Sequence, residues 1–190
     1  MKSYPIIFSG PMIHRLLDGS KTQTRRLTKR HQRMKNMLTG PWGKQVPGDL
    51  LWVRENFCDT ALYAPVNKLR KNRVHYAADG KKAGWKYSPS IHMPRWAARL
   101  TLEVTDVRLQ RSQEISHEDV LAEGVTADQA YDSVKAQRSY FVGEAYRNGY
   151  RNLWESLHGT GTWEDNPEVI ALTFHVHHCN IDDLIKQKTA

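Results

Sequence analysis

Residues 18–26 read DGSKTQTRR, and they place one amine, Lys21, beside the hydroxyls of Thr22 and Thr24. A lysine partly withdrawn from water holds its proton less firmly, so it can serve as a base or nucleophile. The arginines that follow, Arg25 and Arg26, depress its proton affinity further, and a nearby threonine hydroxyl is the natural group for such a base to activate. The same residues also fit the start of a strand with a solvated lysine. The next acid after Asp18 is Asp49, and eight Lys or Arg residues lie between them. Arg25, Lys29 and Arg30 head this uncompensated run. It reads either as a solvated face or as a set of phosphate contacts, which supply affinity and salt dependence rather than base identity.

Other clusters allow chemistry with less force. In WVRE, residues 52–55, Arg54 at a strand end can clamp a carboxylate or phosphate, or can pair with Glu55 on the surface. In SIHMPRW, residues 90–96, Trp96 offers a stacking wall for a base with Arg95 beside it, or ordinary core packing. HVHHC, residues 175–179, gathers His175, His177, His178 and Cys179; a catalytic zinc site needs three placed ligands, and no second tight cluster accompanies these, so no metal is expected. A GxGxxG loop, a P-loop and a Ser-His-Asp signature are absent, which argues against dinucleotide redox chemistry and NTP hydrolysis by those routes.

The chain that must position these groups has 190 residues, 39% of them hydrophobic, with six Trp and eight Tyr. That suffices for one domain with a core. A formal charge of +8 and a pI near 9.5 favour an anionic partner such as a nucleotide or RNA. Two cysteines make no disulfide framework, and neither a signal-peptide pattern nor a membrane span is evident, so a soluble cytoplasmic protein without membrane contact is expected. Strands are predicted over residues 4–8, 21–27, 50–54, 74–77, 97–109 and 169–176. Helices are predicted from about residue 12 to Gly19, over 116–123 with Ser116 as cap and Gly124 as stop, and over 139–157. Residues 28–48 read as a long polar loop. Helices do not link each strand to the next, so an α+β fold with a curled, largely antiparallel sheet is expected.

The order of these pieces resembles a known family. A short helix ending in GSKTQTRR, then PGDLLWVRE, a long strand ending VTDVR, an acidic helix ending AEG and a closing strand together resemble an ASCH domain of the PUA-like superfamily, in a variant similar to proteins carried by prophages. The resemblance covers roughly residues 4–178. It implies a single domain over residues 1–190, a mostly antiparallel β-barrel with flanking helices and elaborations at about 56–90 and 125–150. It also implies RNA or nucleotide binding. Small bacterial members resemble amidohydrolases that deacylate N4-acetylcytidine, and carry-over by motif makes Lys21, Thr24 and Glu123 catalytic, with Glu118 and Asp119 as rivals to Glu123. Either Thr24 attacks the acyl carbon with Lys21 as base, or a water attacks while a cationic Lys21 stabilises the oxyanion. Arg26, Arg54, Glu55, Ser9, Arg95 and Trp96 are the expected substrate contacts. No cofactor is implied, and the alternatives are an RNA-binding module without turnover and a ribonuclease. Acyl preference, nucleoside against RNA, and oligomeric state stay open.

Overall fold

The computed structural model describes residues 1–28, 43–60, 73–131 and 142–189. Its strands are β1 (Ser3–Ile7), β2 (Gln23–Leu27), β3 (Leu50–Arg54), β4 (Phe57–Asp59), β5 (Val74–Tyr76), β6 (Thr101–Arg111) and β7 (Glu168–His177). The helices named below are α1 (Gly10–Leu17), α2 (His117–Ala122), α3 (Val142–His158) and α4 (Ile181–Thr189). The main sheet has the order β1-β3-β6-β7-β2, and β4 pairs with β5 in a separate two-stranded ribbon. The chain divides into two compact units, one of Met1–Gly19, Gly48–Glu103 and His175–Ala190, the other of Ser20–Pro47 and Val104–Phe174.

In the first unit β1 runs parallel to β3, with Tyr4 opposite Leu51, and β3 runs antiparallel to the start of β6, with Leu51 opposite Leu102. Leu50, Leu51, Val53, Leu100 and Leu102 are buried. A strand covered on both faces needs such an unbroken apolar run. Helix α1 begins at Gly10 with Pro11 in its first turn, where a missing amide hydrogen costs nothing, and buries Met12, Ile13 and Leu16. Helix α4 packs Ile181 and Leu184 on Leu50, with Trp52, Cys179 and Ile185 at the edge. Phe57, Met93 and Ala97 form a smaller core beneath the β4–β5 ribbon.

In the second unit β2 pairs antiparallel with β7, Thr24 opposite Leu172 and Leu27 opposite Val169. Leu27 and Val169 join Ile115, Val120, Val125, Tyr150, Trp154 and Trp163 in one core cluster. The Tyr150 and Trp163 rings meet nearly at right angles, 5.9 Å apart between centroids, a favourable aromatic geometry. Helix α2 is capped as its sequence implies: the Ser116 hydroxyl accepts from the Asp119 amide at 3.1 Å. It ends at Gly124, whose amide donates to the Leu121 carbonyl and whose φ is +84°.

This is a mixed α+β fold with a five-stranded, mostly antiparallel sheet. The pairings among the described residues leave that sheet open, without the closed barrel that the family resemblance implies. The strand expected over 21–27 starts at Gln23, because Thr22 donates to the Ala122 carbonyl rather than joining the ladder in regular fashion. The β4 strand and helix α4 have no counterpart in the sequence expectations. No helix among the described residues is long and apolar enough to cross a membrane. Because a residue with a β-carbon pays about 1 kcal/mol or more at positive φ, Gly124→Ala is expected to lower stability by about that amount, read as a reduced urea midpoint at unchanged slope.

Candidate functional site

The second unit brings a lysine and a glutamate, 102 positions apart in sequence, into direct contact. Lys21 Nζ donates to Glu123 Oε2 at 2.7 Å and to the Glu123 backbone carbonyl at 2.8 Å. Lys21 is 2% exposed and Glu123 4%. Two backbone bonds set this meeting. Thr22 donates to the Ala122 carbonyl at 2.8 Å, tying the lysine's segment to the end of α2, and Phe174 donates to the Thr22 carbonyl at 2.9 Å, tying it to β7. Glu123 is the last residue before the turn at Gly124, so the helix stop aims its side chain.

Arg25 completes the arrangement from β2. Its Nη1 donates to Glu123 Oε1 at 3.2 Å and to Gln23 Oε1 at 2.6 Å, and its Nη2 donates to Asp119 Oδ2 at 2.6 Å. With its amide oriented to satisfy its neighbours, Gln110 accepts from Nη2 at 3.1 Å and from Nε at 3.2 Å. Gln23 Nε2 also donates to Asp119 Oδ1, and Arg108 reaches Asp119 from the solvent side. Gln23 and Arg25 share one face of β2 by alternation, and Lys21, just before the strand, reaches the same carboxylates of α2 and its C-terminal residue.

Burial draws the Lys21 proton affinity below the ordinary lysine value; the Glu123 carboxylate opposes this, and Arg26 and Arg25 add to it. Burial likewise lowers Arg26, opposed by Glu123 and Tyr150. Tyr150 is pushed well above the usual phenol range by burial and then by Glu123, so it stays protonated. At Asp119 burial favours the neutral acid, yet the hydrogen bonds from Gln23 and Arg108 and the charges of Arg25 and Arg108 together hold it below the usual carboxylate range.

Glu123, not Glu118 or Asp119, is thus the acid on Lys21: Glu118 is exposed, and Asp119 is taken by Gln23, Arg25 and Arg108. Thr24 is 4% exposed and lies on the face of β2 opposite Gln23 and Arg25. Among the described residues no hydrogen bond joins its hydroxyl to Lys21 or Glu123. Arg25 is not the phosphate contact expected of it. Its side chain is 0% exposed and its donors are spent on Glu123, Asp119, Gln23 and Gln110. Lys29 and Arg30 fall outside the described residues.

The other expected substrate contacts belong to the first unit. Ser9 is exposed and its carbonyl accepts from Ile13 at the start of α1. Arg54 and Glu55 do not pair: Glu55 follows the end of β3 and is taken by Arg99. The Arg54 guanidinium lies 5.2 Å from the centre of the Trp52 ring and donates to the Ile91 carbonyl. Glu55 is buried and held by the Nε–Nη2 edge of Arg99, at 2.8 and 3.0 Å, while Nη1 donates to Asp79. Burial raises the Glu55 proton affinity, and Arg99 counters it. Arg99 was not singled out by the sequence, because its partner lies 44 positions away. Arg95 donates to Asp182 and Ser3. Trp96 is 50% exposed, with Arg73 5.0 Å from its ring centre, and so is not core packing. In the histidine-rich stretch, His177 Nε2 meets Glu103 at 3.0 Å, and Lys188 donates to the same carboxylate at 2.7 Å. Among the described residues no three His, Cys, Asp or Glu side chains are grouped to hold a metal ion.

Two stability outcomes follow. Removing one member of a buried ion pair strands the other, at about 3–5 kcal/mol. Glu123→Gln is expected to lose about that much, whereas the double variant Lys21→Met, Glu123→Leu recovers most of it in urea unfolding. Asp119 has a folded-state proton affinity below its unfolded value, so its contribution is present above the ordinary carboxylate range and disappears as pH falls through the folded value. The stability gap between the parent protein and Asp119→Asn is therefore expected to be widest near neutral pH and to narrow as pH falls below the ordinary value of 3.8; a gap independent of pH contradicts the assignment.

No family model matches the chain, and no curated protein matches it. Among solved structures it is similar to a crystal structure of a DUF984 protein from Enterococcus faecalis, at 11% identity and a TM-score of 0.40, over 91% of this chain and 71% of that one.

Proposed function

We propose that this chain is an amidohydrolase of the ASCH branch of the PUA-like superfamily, removing the acyl group from N4-acylated cytosine nucleosides. The observation that carries the reading is the buried contact of Lys21 Nζ with Glu123 Oε2 at 2.7 Å. An ammonium and a carboxylate withdrawn from water can exchange a proton with little reorganisation, and both charges act strongly on a bound substrate.

Hydrolysis of an N4-acyl amide makes one C–O bond and breaks one C–N bond, with a proton delivered to N4. The amine leaves more readily than from a peptide, because its lone pair conjugates with the pyrimidine ring. The arrangement of Lys21 favours an activated water over Thr24 as nucleophile. Its ammonium is already committed to Glu123, and the Thr24 hydroxyl has no hydrogen bond to either group. In this scheme the Glu123 carboxylate takes the proton of the attacking water. Lys21 stays cationic and stabilises the negative oxygen that forms on the acyl carbon. The protonated Glu123 then gives its proton to N4 as the C–N bond breaks, releasing the carboxylic acid and the free cytosine amine. Lys21, Arg25 and Arg26 set three cations against the carboxylates of Glu123 and Asp119, a balance that suits an anionic transition state.

The test is conversion of N4-acetylcytidine to cytidine, followed by the ultraviolet spectrum. Glu123→Gln and Lys21→Met are expected to lose at least about 100-fold in rate, the usual scale for a general acid–base group, and Thr24→Ala to lose much less. Because burial lowers the Lys21 proton affinity below the ordinary value of 10.5, a mechanism that needs its charge loses activity on an alkaline limb below that pH; one that uses it as a base gains activity there instead. RNA binding with salt-dependent affinity and no product would replace the hydrolase by an RNA-binding module. Variants as active as the parent would remove the catalytic assignment.

A further inference from the structure

We infer that Arg25 is a positioning residue, which holds the Glu123 carboxylate in the orientation that Lys21 and the substrate require. The inference rests on the hydrolase reading for its catalytic meaning, but its geometric content stands apart from it.

A glutamate side chain at the end of a helix has three torsions to fix, and one lysine, a flexible point charge, fixes few of them. In this site the two carboxylate oxygens are given different partners. Oε2 accepts from Lys21 at 2.7 Å, and Oε1 accepts from Arg25 Nη1 at 3.2 Å. The guanidinium is itself hydrogen-bonded on every side. The same Nη1 is anchored on Gln23 at 2.6 Å, Nη2 on Asp119 at 2.6 Å, and the Nη2–Nε edge on Gln110. The ring of Tyr150 lies 6.0 Å from its carbon centre. Asp119 in turn is held by Gln23 and Arg108 and sits one turn before Glu123 on the same helix. The plane of the guanidinium is thus set by β2, β6 and α2 together, and the carboxylate plane follows it. Lysine at position 25 keeps the charge but has no fork to span Asp119 and Glu123.

The electrostatic consequence has a sign. Arg25 lowers the proton affinity of Lys21, so its loss must raise it. A residue that merely filled the core would leave this titration unmoved.

The experiment compares the parent protein with Arg25→Gln and Arg25→Lys, each checked for native fold by circular dichroism and thermal melting. Hydrolysis of N4-acetylcytidine is measured against pH. The Lys21 titration is followed separately by NMR of the side-chain ε-carbon, assigned by its loss in Lys21→Met. A misplaced acid costs on the order of 10- to 100-fold in kcat. Arg25→Gln is expected to lose that much with KM within about twofold, and to shift the Lys21 midpoint to higher pH. Arg25→Lys is expected to lose kcat on the same scale while keeping the midpoint near the parent's, since the charge remains. A folded Arg25→Gln with parental kcat and an unmoved Lys21 midpoint overturns the inference. So does Arg25→Lys with full activity, which would show charge to suffice, and so does the failure of both variants to fold, which would make Arg25 a residue of the core. If the parent protein itself hydrolyses nothing, the hydrolase reading falls, and the Lys21 titration alone still decides whether Arg25 governs the pair.

Discussion

The second unit is organised around a charged amine that has almost no access to water. Taking an ammonium out of water is costly, and a lone buried lysine would shed its proton or drag solvent in. Glu123 offsets that cost, and its carboxylate needs more than Lys21 to be satisfied, so Arg25 follows, and then Asp119, Gln23 and Gln110 for the guanidinium. Each added partner answers a donor or acceptor that the previous one left open. The chain of demands ends at Arg108, which is partly exposed and meets water. A buried polar cluster of this kind is tolerable only when every member is satisfied, and it then specifies one arrangement of β2 against α2.

That requirement explains features otherwise scattered along the chain. Ser116 caps α2 by holding the Asp119 amide, which leaves the Asp119 carboxylate free to face Arg25 and Gln23. Gly124 turns the chain at positive φ directly after Glu123. Thr22 spends its amide on Ala122 and its carbonyl on Phe174, so the backbone beside Lys21 is fixed on both sides before the side chain is considered. The apolar cluster of Leu27, Val120, Tyr150, Trp154 and Trp163 borders the same elements and keeps the local dielectric low, which strengthens the ion pairs and raises the penalty for any that is broken.

Much of this was legible in the sequence wherever a signal is local. The run LLWVR gives β3 at the expected residues, the Ser116 and Gly124 signals bracket α2, and the two-residue period puts Gln23 and Arg25 on one side of β2, while Lys21 lies before the strand, where that period does not hold. Glu123 is implied only by the family resemblance; of the three carboxylates it is the one that lies against Lys21. What a sequence hides is partnership across distance. A run of arginines without nearby acids looks like a phosphate surface, yet Arg25 finds its acids 94 and 98 positions later and is buried by them. Glu55 finds Arg99 in the same way, 44 positions on, rather than its neighbour Arg54. The strand β4 is three residues long and helix α4 is short and mostly polar, so neither carries enough periodicity to stand out.

Helix α3 shows why an apparent elaboration belongs to the site. The family resemblance leads one to expect an elaboration at about residues 125–150, and such segments usually decorate a surface. Here the later part of that segment and the helix turns beyond it supply Tyr150 and Trp154, both buried against Val120 and Leu27. Tyr150 lies within the field of Glu123, Arg25, Arg26 and Asp119, and burial keeps it neutral. A smaller domain without this helix would leave the pair nearer to water, where an ammonium and a carboxylate about 4 Å apart attract by roughly 1 kcal/mol, against about 4 kcal/mol at the effective dielectric of a protein surface. Helix α3 therefore acts on the pair through solvent exclusion. It changes how strongly Lys21 and Glu123 feel one another.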